Sequence, residues 1–501
     1  LMFSIFNLFK NKKNNQTPAK GHYVVVRPKA YEAAKTNRLT WSWNTYKYTA
    51  DQIVYKFLKP LVARSCNEYM NDPHAVKFLS LLENNVIGDK GISLQAQAKD
   101  QNGELDTKAN EAHEKAWKEW QKAKYCDVKQ QQNFISLCKL AIKTCAREGE
   151  CLIRIIKGRN AGAWGFALQL IDPRRLDIDK NDVSIQPNGS FVRFGIEFSS
   201  YGKPLKYYIK KYDDDLLNQT YGEPYDIIPA DEIIHLFLPQ FIDQKRGIPW
   251  FSPVLMHMNM LNGFEVAAVE HARAGACQMG FITNNDPEAY DEDENNEDID
   301  IEASPASFQQ LPAGYDVKKF DPNYPNGEFD VFNKAILRDI AAGLCTGYAE
   351  LTGDLTSVNF SSLRHGVIET REVWKGLQEW FKSLVIERIH EEWLKYSLLA
   401  SKIKCGNGYL KPERIDKYKE VTWTMRRWMW VDPVKDVNSA SISVQNGFRS
   451  RSDVIREQGR DPDEVWEEIQ KENDILRAKG ILVKDEVIKD VGDNPEEQTD
   501  K

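Results

Sequence analysis

The patterns that could bind or hydrolyse a nucleotide are incomplete in this sequence. A phosphate-binding loop cradles phosphates with the pattern Gly-x-x-x-x-Gly-Lys-[Ser/Thr], which the chain does not contain. Gly202-Lys203-Pro204 lacks both the upstream glycine and the hydroxyl residue. The stretch from Gly158 to Gly165 is only loosely similar to a dinucleotide-binding motif, and it lies in a predicted hairpin rather than before a helix. We therefore predict neither ATP hydrolysis nor a cofactor.

Candidate metal ligands are also poorly spaced. His113-Glu114 and His390-Glu391 are not followed by a second histidine at the spacing of zinc peptidases. Five residues of the acidic stretch 284–306 match a calcium-loop template: Asp291, Asp293, Asn295, Glu297 and Glu302. However, Asn296 stands where the sharp turn needs glycine, and Asp298 stands where a hydrophobic residue belongs. We interpret the stretch as a self-repelling mobile loop, with a calcium site as the alternative. We predict no metal site and no catalytic residue.

Composition and charge restrict which classes of protein function remain possible. Hydrophobic residues make up 42% of the 501, which is enough for a sizeable core, and the formal net charge is -7. Proteins that coat nucleic acid carry basic surfaces, so that role is disfavoured, although a protein that lets nucleic acid slide past remains possible. No apolar run approaches the ~18 residues of a membrane span, and no signal peptide is recognisable, so we expect a cytoplasmic site of assembly. The eight cysteines form no Cys-x-x-Cys pair and are expected to be free and buried.

Periodicity predicts an α+β fold. Helical spacing of apolar residues runs through 50–87, with a turn at Asn84-Asn85 and Gly88, and two more helices follow within 106–147. The apolar period then shortens. Five short runs predict a β-rich layer, and they span 151–156, 167–171, 191–198, 207–211 (after a turn at 202–204) and 233–238.

The second half is predicted to be largely helical. A helix over 252–279 carries small side chains in its second part, and another follows at about 329–348. A polar loop, 350–360, leads into a helix over 361–399 that has room for one kink. An alternating run, 421–431, predicts a strand whose Trp423, Trp428 and Trp430 could stack on bases but favour core or interface positions. Capping patterns predict helix starts at Ser450 and Asp461.

The order of several short motifs resembles the lambda-type family of bacteriophage portal proteins. In chain order, the strings are Leu61-Val-Ala-Arg-Ser, Asn84-Asn85-Val-Ile-Gly88, Trp117-Lys-Glu-Trp120, Arg147-Glu-Gly-Glu150, Leu168-Gln-Leu-Ile-Asp172, Ile234-His-Leu-Phe, Asp243-Gln-Lys-Arg246-Gly247-Ile-Pro, Leu351-Thr-Gly-Asp354 through Asn359-Phe-Ser-Ser-Leu-Arg364, Val431-Asp-Pro-Val-Lys435, Gly447-Phe-Arg-Ser-Arg451 and Gln458-Gly-Arg-Asp-Pro462. The resemblance covers about residues 30–475. Phe360 replaces the usual tyrosine, Cys66 replaces a frequent second arginine, and the acidic stretch is unusually long.

The resemblance implies a portal fold made of named parts. These would be a flexible N-terminal arm (1–20), a mixed α/β wing (21–251 and 361–432), two stem helices (252–279 and 329–349), a clip with the acidic loop (280–328), a tunnel loop (350–360), a helical crown (433–485) and a flexible tail (486–501).

The resemblance also implies a function and partners. The chain would be a subunit of a homo-oligomeric ring, usually of twelve copies, at one vertex of the virion capsid. Double-stranded DNA would enter and leave through that ring. The expected partners are the terminase large subunit, the major capsid or scaffold protein and the head–tail connector, with no membrane. ATP hydrolysis would belong to the terminase, so the chain would not be an enzyme.

Two sets of residues follow as site predictions. The tunnel loop would present polar residues to DNA without a cation, so that phosphates slide past; these are Glu350, Thr352, Asp354, Thr356, Ser357 and Asn359. The alternative is an ordinary connection between helices. Small side chains would let stem helices pack closely; these are Ala268, Ala272, Gly275 and Ala276.

Two rival classes remain at this point. One is another head–tail structural protein, such as a capsid or connector subunit, although two long helices flanking a polar loop are unusual there. The other is a phage DNA-processing enzyme, such as a nuclease or the terminase large subunit. The missing phosphate loop disfavours the enzyme.

Overall fold

A computed structural model of the chain describes residues 38, 41–182, 189–211, 224–276, 280–284, 315–319, 328–356, 360–428 and 433–479. The chain divides into two units, Leu1–Thr49 and Ala50–Lys501. The helices and strands described below belong to the second unit. The predicted arm 1–20, the tail 486–501 and nearly all of the acidic stretch lie outside the described residues.

The helices are α1 (Ala50–Asn71), α2 (Pro73–Leu82), α3 (Thr107–Trp120), α4 (Ala123–Cys126), α5 (Phe134–Glu148), α6 (Leu255–Ala276), α7 (Glu328–Gly343), α8 (Tyr348–Thr352), α9 (Phe360–Phe381), α10 (Glu387–Leu399), α11 (Ile415–Tyr418), α12 (Pro433–Gln445), α13 (Arg451–Glu457) and α14 (Pro462–Ala478). The strands are β1 (Ser93–Ala96), β2 (Glu150–Lys157), β3 (Phe166–Ile171), β4 (Phe191–Arg193), β5 (Ile196–Phe198), β6 (Pro204–Lys210), β7 (Tyr225–Pro229), β8 (Ile233–Phe237), β9 (Gly280–Asn284), β10 (Tyr315–Lys319), β11 (Lys404–Cys405), β12 (Gly408–Tyr409) and β13 (Val421–Thr424).

The predicted β-rich layer is two antiparallel sheets. One has the order β3-β2-β8 and the other β4-β5-β6-β7. The predicted run 191–198 is two strands, because Phe194 and Gly195 both adopt positive φ and form the two-residue turn of a hairpin. The turn predicted at 202–204 ends one residue early, since Pro204 is the first residue of β6, a position that tolerates proline. Strand β7 was not predicted.

The first predicted helical stretch breaks and ends differently from the prediction. Asp72 caps α2 by accepting from the backbone N–H groups of His74 and Ala75, and Pro73 opens that helix. The turn predicted at Asn84-Asn85 is wrong, because Glu83–Ile87 continue α2 as a π-helical turn. That turn stops at Gly88, whose φ of 81° suits glycine.

The predicted long helix is confirmed in its path and length. It consists of α9, a π-helical turn over Lys382–Ile386, and α10. The prediction allowed one kink without placing it, and a π turn is an interruption of that kind. A strand was predicted over 421–431, but the observed strand in this run, β13, ends at Thr424. It pairs with β1. Trp430 lies outside the described residues.

Tryptophans on helices from both halves of the chain form the centre of the main core. Trp117, Trp120, Trp374 and Trp393 are fully buried. Trp117 and Trp120 stack in α3, and Trp393 of α10 contacts both rings. The core therefore joins the predicted N-terminal helices to the long C-terminal helix.

The cysteines were predicted to be free and buried, and this is confirmed for some of them. The described cysteines are free, and Cys126, Cys138, Cys145 and Cys151 are buried. Cys66 and Cys405 are half-buried, while Cys345 is exposed at a backbone position with φ of 52°. Cys277 lies outside the described residues. No helix within the described ranges combines the length and apolar character that a bilayer span requires.

The C-terminal helices begin where capping patterns predicted. The Ser450 side chain accepts from the N–H of Asp453, and the Asp453 carboxylate accepts from the N–H of Ser450. Asp461 caps α14 by accepting from the N–H of Asp463.

Candidate functional site

Helices α6 and α7 form an antiparallel pair. At one end, the backbone of Gly343 lies so close to Val254 that an added Cβ would be 2.4 Å from the valine Cγ1. Towards the other end, Phe264 stacks on Phe329 at 5.4 Å and meets Phe332 edge-on at 5.0 Å between ring centroids. The strands that follow α6 and precede α7, β9 and β10, pair as an antiparallel ladder.

The close approach at Gly343 lies near the start of α6, whereas the predicted small residues lie in its second half. Ala268 is buried, but Ala272 is exposed. Gly275 and Ala276 belong to α6, and their surroundings lie outside the described residues. Sequence reasoning missed Gly343, whose signal was a glycine inside a predicted helix. The observed start of α6, at Leu255, is also later than the predicted Ser252, because turns occupy 250–254.

Helices α6 and α7 carry six large apolar side chains that are exposed: Met256, Met260, Val266, Val269, Val331 and Phe332. Val331 exposes 67% of its surface and Met256 65%. An exposed apolar surface on a protein of this composition is typical of an interaction surface.

The second predicted stem helix is interrupted. Helix α7 ends at Gly343, and α8 begins only at Tyr348. Between them, Cys345 adopts a left-handed φ of 52°, which a continuing helix excludes. Helix α8 then extends into the segment predicted as a loop, so Glu350 and Thr352 lie on a helix rather than in the loop. The described part of the loop is 353–356, and Ser357 and Asn359 lie outside the described residues.

Asp354 organises this segment. Its carboxylate accepts hydrogen bonds from the N–H and hydroxyl of Thr356 and from the hydroxyl of Tyr348, at 2.6 to 3.0 Å. Lys334 of α7 lies 3.6 Å away. The bonds from Thr356, with the bond from Tyr348 and the charge of Lys334, hold the pKa of Asp354 well below its usual range. Asp354 is therefore ionised, and its negative charge belongs to a defined turn.

Glu350 and Thr352 have different surroundings from Asp354. Burial raises the pKa of Glu350, and the nearby Arg371 opposes that shift. The Thr352 hydroxyl donates to the carbonyl of Tyr348 and accepts from the N–H of Asp354. Thr356 is exposed. Of the predicted polar residues, Thr352, Asp354 and Thr356 are linked by hydrogen bonds that fix the shape of the turn.

Two motifs from distant parts of the sequence meet at a buried ion pair. Arg246 donates to both carboxylate oxygens of Glu150, and the N–H of Gly247 donates to the same carboxylate at 2.9 Å. His235 lies 3.0 Å from the Glu150 carboxylate. An added Cβ on Gly247 would be 2.0 Å from the carbonyl oxygen of Gly149, so neither backbone leaves room for a side chain there.

Another pair of motifs meets beside the long helix. The carbonyl of Asn85 accepts from Gln378 at 2.7 Å, and its side-chain oxygen accepts from the indole N–H of Trp428 at 2.8 Å. Arg426 donates to the carbonyl of Asn84, and its side chain packs over Gly88. An added Cβ on Gly88 would be 3.0 Å from the Cβ of Arg426. In the sequence, the motif around Gly88 marked this region as important. The motif did not reveal that Arg426 and Trp428 are the residues it contacts.

Metal-binding geometry is not found among the described residues, where no group of three or more His, Cys, Asp or Glu side chains is gathered. The calcium-loop alternative falls on residues outside the described set.

Comparison with known proteins gives concordant matches. Residues 36–378 match the family described as phage portal protein, lambda family. A "Probable portal protein" of Halomonas phage phiHAP-1 is 33% identical over 477 residues, which are 93% of this chain and 89% of that protein. Portal protein B of Escherichia phage lambda is 21% identical over 402 residues, 74% of each chain. Among solved structures, a chain from the neck of a native GTA particle covers 80% of this chain and 92% of its own length, at 12% identity and a TM-score of 0.42.

Proposed function

The chain belongs to the lambda family of phage portal proteins, and we propose that twelve copies form a ring at one capsid vertex through which double-stranded DNA is packaged and ejected. The family is structural, and we assign the chain no catalytic residue. In this proposal the wing is 21–251 and 361–432, the stem is α6 and α7, the clip is 280–328, the crown is 433–485, and 350–360 forms the tunnel loop.

The observation that carries the ring is the apolar surface of the α6–α7 pair. A single chain leaves Met256, Val331 and Phe332 exposed, which costs hydration free energy. Packing each pair against the next around a ring would bury these side chains in every copy. A head-to-tail contact of this kind produces a closed ring when a whole number of copies completes a rotation of 360°.

The segment that includes Asp354 supports a channel role. Its described residues between 350 and 356 include two acids and no lysine or arginine. Carboxylates repel phosphates and hydroxyl groups bind them only weakly, so DNA could move past such a loop without being held. The hydrogen bonds around Asp354 would keep the loop in one shape while DNA passes.

Docking would use the two ends of the ring. We assign the clip, which contains β9 and β10, to the outer end, where the terminase large subunit and later the head–tail connector would bind. The crown would face the capsid interior, and the rim of the wing would contact the major capsid or scaffold protein. The assembled ring belongs to the virion and would form in the host cytoplasm.

Native mass measurement combined with negative-stain imaging tests the proposal. We expect a ring with a central hole and the mass of twelve chains of 57.7 kDa each. A variant with Met256→Lys and Val331→Lys, which replaces two exposed side chains, should yield single chains that remain folded by circular dichroism. A wild-type protein that forms compact dimers or filled particles would contradict the proposal.

A further inference from the structure

Arg371 lies over the ring of Trp428, and Arg426 lies two residues before that tryptophan in the chain. Arg371 lies on α9, and Arg426 follows β13. Burial and the charge of Arg426 lower the pKa of Arg371, even though Glu350 and Asp436 act in the opposite direction. Two guanidinium groups repel each other in such a half-buried position, so the arrangement calls for an anion.

Few acceptors among the described residues satisfy these two groups. A guanidinium has five N–H donors. Arg426 donates to the carbonyl of Asn84, and its Nε is shielded from water without an acceptor in the described part of the chain. The Nε of Arg371 is shielded in the same way, and the contact that this side chain makes is with the ring of Trp428, 5.8 Å from the ring centroid.

The nearby carboxylates do not complete the site. Asp436 is bound by Arg364 at 2.7 Å, so much of its charge is already matched. Burial raises the pKa of Glu350, which weakens it as a counter-ion. The described surroundings of Arg371 and Arg426 therefore keep a surplus of positive charge and of unused N–H donors.

We propose that Arg371 and Arg426 bind a phosphate group of the DNA backbone. Each guanidinium can present a fork of two N–H donors, which matches the paired oxygens of a phosphodiester. The face of Trp428 holds the Arg371 guanidinium in one orientation. Gly347 caps the helix that contains Glu350 and leads into the proposed tunnel loop, and an added Cβ on it would be 3.5 Å from the hydroxyl of Thr370, the neighbour of Arg371. For this reason DNA is the favoured source of phosphate. The inference therefore rests on the proposed function.

The site would have a different role from that of the tunnel loop. A loop of acidic and hydroxyl residues lets DNA slide, whereas paired arginines would retain DNA that has already been packaged. Each phosphate contact that is lost should lower the slope of log affinity against log salt by about 0.9. One such site per subunit would give moderate binding that salt weakens.

The test measures binding of a short fluorescent DNA duplex to the full-length protein by anisotropy over a series of salt concentrations. Arg371→Gln should weaken binding several-fold and lower the salt slope by about one. Arg159→Gln is the matched control, because Arg159 is exposed on a distant turn and the variant has the same net charge. Inorganic phosphate should compete with the duplex on the wild-type protein and have less effect on Arg371→Gln.

Ring assembly is measured on the same samples by native mass. Arg371→Gln that still forms rings but binds DNA weakly supports the site. Equal binding by Arg371→Gln and Arg159→Gln would overturn it. Loss of rings in Arg371→Gln, with unchanged DNA affinity, would show that a carboxylate of a second copy is the ligand, and the proposal would be wrong. A wild-type protein that binds DNA with this arginine dependence but forms no rings would instead contradict the proposed function.

Discussion

Arg246 and Glu150 are 96 positions apart in the sequence and form a buried ion pair with bonds to both carboxylate oxygens. Arg246 also donates to the carbonyls of Leu176 and Phe194, each at 3.1 Å. One side chain therefore connects the start of β2, the hairpin of the second sheet and the chain that leads into α6. The relative position of the sheets and of the proposed stem depends on this contact.

Removing one partner of this pair should strongly destabilise the protein. Glu150→Gln or Arg246→Met leaves an unmatched buried charge, and we expect a loss of about 3–5 kcal/mol in the free energy of unfolding. Urea denaturation followed by circular dichroism measures it. Glu372→Gln is the control, because Glu372 pairs with Lys375 on an exposed helix surface and should contribute about 0.5 kcal/mol or less. Equal effects of the two substitutions would show that the buried pair has no special role.

The contribution of this pair to stability should be lost only in strong acid. Burial by itself would raise the pKa of Glu150, but Arg246 and His235 outweigh it and lower the pKa to about 2. An unfolded glutamate has a pKa of about 4.3. The stabilisation is therefore complete above about pH 4.3 and is lost as pH falls towards 2. Thermal melts of the wild type and Glu150→Gln should converge over that range and differ most near neutral pH.

His113 and His390 should cause a loss of stability in mild acid. Their Nε2 atoms lie 3.0 Å apart in the core, between Trp117 and Trp393. Burial lowers the pKa of His113 to about 4 from 6.5, and burial together with the charge of His113 lowers the pKa of His390 well below its usual range. Because the unfolded state takes up protons first, stability is complete above about pH 6.5 and declines as pH falls towards 4.

Comparing thermal midpoints at pH 7.5 and 5 measures this decline. A variant with His113→Phe and His390→Phe should show a smaller difference between the two pH values, whatever its stability at pH 7.5. His365→Gln removes an exposed histidine and should leave the difference unchanged. The prediction is wrong if the double variant keeps the wild-type difference.

Gly343 should tolerate no side chain, in contrast to Gly366. An added Cβ on Gly343 would be 2.4 Å from Val254, whereas nothing lies within 4 Å of an added Cβ on Gly366 in α9. Gly343→Ala should destabilise the protein by about 1–3 kcal/mol, and Gly366→Ala should stabilise it by about 0.5–1 kcal/mol. Urea denaturation tests both. Val254→Ala should partly rescue Gly343→Ala, and failure of that rescue would argue against the contact.

Substitutions of Asp354 should separate the charge of the proposed tunnel loop from its shape. Asp354→Asn keeps an oxygen that can accept from Thr356, so we expect packaging close to that of the wild type. Asp354→Lys removes the acceptor and adds a cation that binds phosphates, so the DNA content of assembled particles should fall. Asp416→Lys is the control, with the same charge change on an exposed helix. Particles with Asp354→Lys that contain as much DNA as the control would show that 350–360 is not a DNA-facing loop.

The local structure and the family could both be predicted from the order of the residues. Periodic apolar residues predicted α3, α5 and the long helix α9–α10, and side-chain caps located the starts of α13 and α14, because these features depend on residues within a few positions of one another. The motif order was enough to identify the family, which the comparisons confirm. The tunnel loop and the ring remain predictions.

The contacts between distant residues could be known only from the folded chain. Glu150 finds Arg246, Asn85 finds Trp428, and Gly343 finds Val254. It also decided that Phe194 turns a predicted strand into a hairpin and that Asn84 lies in a π turn. The physical reason is that burial, shared hydrogen bonds and close backbone approach arise between segments far apart in the chain, and a local pattern of residue types does not specify its partner.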